Sequence, residues 1–139
     1  YQEEGLKLLS GKVDSLPSKI AFRPKFIKQS SCIKVFDKLY LFISKANIKK
    51  PLEERFDALF HEIGHWLHFQ NIPPLKECRE IWKTANLEKI KEDVSEYAVK
   101  KDDGREFVAE VFKGLIKGKK YDEYIMNLYK RLHGPVPHD

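Results

Sequence analysis

On a helical wheel of about 100° per residue, residues 52–69 separate cleanly. Leu52, Phe56, Leu59, Phe60, Ile63, Trp66 and Leu67 fall on one broad face, and His61, His65 and His68 on the opposite one. That period predicts an amphipathic helix with an apolar back and a polar front. Its start is marked by Asn47 in the N-cap region, Pro51 in the first turn and Glu53-Glu54 near the positive end of the dipole. "NIPP" (71–74) ends it. Upstream the period drops to two. "KIAFRPKF" (19–26) reads as a short strand ended by Pro24, and "SCIKVFDKLYLFIS" (31–44) as two strands joined by a tight turn at Asp37-Lys38. Residues 2–10 look like a helix end.

Downstream, 75–90 reads as one charged amphipathic helix, followed by a looser acidic segment that ends at Gly104. Residues 105–118 and 121–133 read as two closing helices, with "GPVPHD" as a tail. The fold class expected from this order is α+β, a small N-terminal sheet packed against helices, in one domain spanning 1–139. There is no internal repeat and no domain boundary. The opening residue is Tyr1 rather than methionine, as expected of a domain excised or processed from a longer protein.

Composition narrows the classes. With 42% hydrophobic and 12% aromatic residues among 139, the chain can bury a core and is not globally disordered. No apolar run approaches a membrane span and no basic-then-apolar leader opens the chain, so no membrane partner is expected and the location is left unassigned. The formal charge of +5 is carried by lysine clusters at Lys49-Lys50, Lys100-Lys101 and Lys117-Lys119-Lys120. These are neither interleaved with aromatics nor set in a nucleic-acid module, so they read as solvated faces and no nucleic-acid partner is expected. Cys32 and Cys78 are too far apart to form a metal-type pair and read as free thiols, although an exported protein would permit a disulfide.

The chemistry sits in "HEIGH", 61–65. Imidazoles at i and i+4 of a helix can converge on one ion, and zinc favours nitrogen ligands in a tetrahedral shell. Glu62 is rotated about 100° from His61, so it can reach a water on the ion without ligating. His68 lies about 10.5 Å along the axis from His61 and can hardly share that ion. A substrate contact or a hydrogen bond beside the site would suit it, as would a half-exposed polar position. Two histidines need a third protein ligand that leaves one position open. The extension H-x-x-G-x-x-H fails, because its glycine position is His68 and its last position Asn71. A downstream carboxylate is then expected from among Glu77, Glu80, Glu88, Glu92, Asp93, Glu96, Asp102, Asp103, Glu106 and Glu110. Glu106 and Glu110 stand together on the polar front of the 105–118 helix beside small Ala109 and Gly114, although a solvated surface would place Glu106 there equally well.

"HEIGH", then "SEY" (95–97) and "EFVAEVF" (106–112), together resemble the zinc peptidases related to the catalytic domain of anthrax lethal factor. These are gluzincin-type enzymes with relatives among phage head-associated and toxin-like proteins. The likeness spans roughly 31–133, with Val108 in place of the family's second phenylalanine. It implies one zinc ion per chain on His61, His65 and Glu106. It further implies Glu62 as general base, Tyr97 as donor to the oxyanion, and Glu110 as the group that orients a ligand histidine.

The function expected is a zinc-dependent endopeptidase acting on a peptide or protein substrate. Tyr40 and His68 are the candidate substrate contacts. Residues 39–43 read either as a sheet edge along which a peptide lies or as an internal core strand. The lysine excess hints at an acidic substrate segment. The alternative is a zinc-bearing structural or interaction module of a phage or toxin assembly, with peptidase activity weak or lost. An intact Glu62 speaks against that alternative.

Overall fold

The computed structural model describes the backbone of residues 12–13, 20–22, 31–35, 38–43 and 52–138, and side chains at 12–13 and 56–138. Five α-helices lie among these residues: α1 Leu52–Phe69, α2 Leu75–Lys83, α3 Leu87–Asp93, α4 Arg105–Ile116 and α5 Glu123–Arg131. A short 3-10 turn, Tyr97–Val99, lies between α3 and α4.

The expected α+β class is corrected. From 52 to 138 the chain is all helical, and the described core is helix packed on helix. The apolar stripe of α1 supplies Phe56, Leu59, Phe60 and Ile63, all buried. Its main partner is α4, whose Phe107, Val108, Val111 and Phe112 are fully buried. Because α4 is apolar around most of its girth, it can cover α1 on one side and receive Ile125, Tyr129 and Leu132 at the chain's end. Among the described side chains the core is formed by helices alone.

Three short strands, β1 Ile20–Phe22, β2 Ser31–Val35 and β3 Lys38–Ile43, are described only as backbone, in the order β1-β3-β2. β3 is parallel to β1 and antiparallel to β2. Leu41 and Phe42 pair on both sides, so β3 is the middle strand of the three, and of the two readings of 39–43 the structure favours the internal strand over the sheet edge. The Tyr40 and Cys32 side chains, the helix end expected at 2–10 and the start signals at Asn47 and Pro51 all lie outside the described residues.

Local chemistry explains the helix ends. The helix expected over 75–90 is two helices, because Asn86 interrupts it and accepts a hydrogen bond from Lys89 N as the N-cap of α3. Asp122 caps α5 in the same way through Ile125 N. α4 starts after Gly104, whose φ of 79° favours glycine, and a Cβ there would meet Leu132 Cδ1 at 2.8 Å. Buried Asp103 accepts from both Arg105 N (3.1 Å) and Arg105 Nε (2.9 Å), holding that corner shut. No described helix is long and apolar enough to cross a membrane.

Candidate metal centre

α1 and α4 approach closely because small residues meet at their crossing. A Cβ built on Gly64 would stand 3.1 Å from Ala109 Cα and 3.1 Å from Phe112 Cδ2. This closeness lets short side chains reach across. His61 and His65, one turn apart on α1, face Glu106 and Glu110, one turn apart on α4.

Glu106 Oε2 lies 2.9 Å from His61 Nε2 and 3.2 Å from His65 Nε2. The three ligand atoms fall within 4.8 Å of one another, so His61, His65 and Glu106 form a group that can hold a metal ion. Two imidazole nitrogens and one carboxylate oxygen make a donor set that suits zinc, whose tetrahedral ligands stand about 3.3 Å apart. The other nitrogen of His61 is also engaged. Nδ1 lies 2.8 Å from Glu110 Oε2, which fixes the ring and leaves Nε2 facing the centre.

Glu110 is itself held. Lys113 Nζ lies 2.9 Å from its Oε2, and Ser95 Oγ donates to its Oε1 at 2.9 Å. The same Ser95 hydroxyl accepts from Ala98 N at 3.2 Å, closing the turn that carries Tyr97. Tyr97 presents its ring edge to His61 with centroids 5.4 Å apart. One hydroxyl thus ties the His61 carboxylate to the tyrosine turn.

The electrostatics follow from burial and pairing. Burial alone would lower the His61 pKa, but carboxylates on both its nitrogens, Glu106 and then Glu110, outweigh that and push it up to about 9. For His65, burial wins over the attraction of Glu106 and the pKa falls. Burial acts to raise both Glu106 and Glu110, yet hydrogen bonds from the histidines hold each carboxyl well below the usual range. The Tyr97 hydroxyl is pushed up by burial and then by the charges of Glu106, Glu62 and Glu110, so it keeps its proton and remains a donor. Glu62 is buried and close enough for its charge to act on both His61 and Tyr97.

His61, Glu62, His65, Tyr97, Glu106 and Glu110 are therefore brought together. His68 is not. It is fully buried, with Nε2 donating to the Leu132 carbonyl at 2.7 Å, and the expectation of a substrate contact there is corrected. Burial on its far side, where α1 meets the chain's end, makes it a core group. Of the other carboxylates considered as ligands, Glu88 and Asp93 pair with lysines and Asp103 with Arg105. Ser95 and Lys113 join the centre without having been expected there. Lys113 carries a signal, lying three residues after Glu110 on one helix face. Ser95 lies within "SEY", but nothing local indicates a bond to a carboxylate fifteen residues on.

Comparison of the chain with protein-family models, curated proteins and solved structures yields no match, so what this centre does has to follow from its own residues.

Proposed function

We propose that the chain is a zinc-dependent peptidase, with one ion held by His61, His65 and Glu106. The observation that carries this reading is the convergence of His61 Nε2, His65 Nε2 and Glu106 Oε2, with Glu62 beside them on α1. A site built only to brace the fold has no need of a buried carboxylate there. Zinc, when bound, polarises a carbonyl oxygen and acidifies a water.

The chain's residues do the rest. Glu62 takes a proton from the attacking water and returns it to the leaving amine. Tyr97, its hydroxyl kept protonated, donates to the oxygen that gains negative charge as the carbonyl carbon becomes tetrahedral. Glu110 accepts from His61 Nδ1 and so selects the tautomer whose Nε2 lone pair is free. His61 and Lys113 keep Glu110 ionised, and the Ser95 hydroxyl helps to hold it in place.

Elemental analysis of protein purified without chelator tests the reading. About one zinc per chain is expected, lost in Glu106→Ala and kept in Glu62→Gln. Glu62→Gln should abolish cleavage of a mixed peptide library that the parent cuts. Failure to bind or take up zinc would overturn the proposal, and so would a Glu62→Gln variant that cuts as well as the parent.

A further inference from the structure

A groove of 490 Å³ runs between α2, the α2–α3 connection and the segment after Tyr97. Five cations line it: Lys76, Arg79, Lys83, Lys100 and Lys101. All five are exposed, and none forms an ion pair among the described residues. Elsewhere pairing is common: Lys89, Lys91, Arg105, Lys113 and Lys117 each hold a carboxylate. Only two carboxylates, Glu80 and Asp102, share the groove, so it keeps a positive surplus. Leu87, itself 41% exposed, and half-buried Val99 add apolar surface between the charges.

One wall of the groove reaches the turn that carries Tyr97. Lys100, on its wall, places Nζ 5.0 Å from the Tyr97 ring centroid, and Tyr97 meets His61 edge-on. Lys100 thus links the groove wall to the tyrosine that packs on the candidate centre.

We propose that this groove binds an acidic stretch of polypeptide carrying an apolar side chain, and so selects substrates with such a stretch beside the bond to be cut. As a statement about substrate it rests on the peptidase reading; as a statement about binding it stands alone. Unpaired cations around an apolar strip complement alternating carboxylates and aliphatic groups. A nucleic acid fits less well, because the groove offers its bases no surface to stack on. The lining aromatic, Trp82, is only 6% exposed and packs on Phe107, so it offers no platform for a base.

The decisive experiment is fluorescence anisotropy with a labelled peptide of alternating aspartate and leucine, against the intact chain and a Lys83→Glu/Lys101→Glu variant. Both positions are exposed, and an unchanged helical circular dichroism spectrum and melting temperature would show that the variant still folds. The expected result is saturable binding that falls about tenfold in the variant, weakens with salt, and is absent for a peptide with lysine in place of aspartate. Acidic-peptide binding that is absent, or unaffected by the variant, would overturn the proposal. So would oligothymidylate that binds more tightly and loses its binding in the same variant, which would make the groove a nucleic-acid site. Peptide binding with no cleavage by the zinc-loaded chain would leave the groove standing and count against the peptidase reading instead.

Discussion

His65 and His68 lie three residues apart on α1, and their surroundings give them different work. His65 turns Nε2 to Glu106 at the candidate centre, whereas His68 turns Nε2 into the core, onto the Leu132 carbonyl. Its Nδ1 has no hydrogen-bond partner among the described residues, so a second proton would leave a buried N–H⁺ without an acceptor. Burial accordingly lowers its pKa to about 4, from 6.5 when free. In that interval the unfolded chain binds the extra proton and the folded one does not. The stability given by neutral His68 is complete above pH 6.5 and is lost as pH falls toward 4, by about 3 kcal/mol in all. His68→Gln keeps a donor for the carbonyl and removes the titration. Urea unfolding at pH 7 and pH 4.5 should show the parent losing about 2–3 kcal/mol more than the variant. Equal losses would refute it. The sequence made His61, Glu62 and His65 legible because their spacing is itself the geometry. It could not place His68, since its partner is a backbone carbonyl 64 residues on.

At the scale of elements, the crossing of α1 and α4 decides whether the centre exists. Gly64 and Ala109 let the two backbones touch, and Ala109 stands between Glu106 and Glu110. Gly64→Ala gains about 1 kcal/mol of helix propensity. It also forces a Cβ to 3.1 Å from the Ala109 backbone, so α4 must give by a few tenths of an ångström and carry both glutamates with it. The expected outcome is a stability change under about 1 kcal/mol, from the two effects opposing, with zinc affinity down several-fold. Gly64→Val should cost about 2–3 kcal/mol and lose the metal. Denaturation beside competitive chelator titration separates the two quantities, and unchanged affinity in Gly64→Ala would remove the crossing from the account. Helix periodicity made α1, α4 and α5 readable almost to their ends. It missed the break at Thr84–Asn86, where one capping side chain outweighs a continuing apolar pattern. It also set the helices on a sheet, because a stripe shows that a face is buried without showing what buries it.

Across the whole molecule, burial of polar groups is concentrated at one place. Among the described residues six polar or charged side chains are buried, namely His61, Glu62, His65, His68, Asp103 and Glu110, and four of these surround the candidate centre. Three carboxylates, counting partly buried Glu106, therefore crowd two imidazoles inside a helical core. Such a cluster is costly to assemble unless a cation offsets the negative charge. An ion that binds the folded cluster and not the unfolded chain stabilises the fold by mass action, about 2.7 kcal/mol at a hundred times its dissociation constant. For a domain of this size that corresponds to a rise of roughly 10 °C in Tm. Melting in excess zinc and in chelator should therefore differ by about that much for the parent and for Glu62→Gln, whose ligands are intact. In Glu106→Ala the gap should nearly close, because two imidazoles hold the ion poorly. Identical melting of the parent in zinc and in chelator would mean that the cluster is neutralised by its own protons and lysine, with Lys113 and His61 carrying the positive charge, and that the fold has no thermodynamic need of the metal.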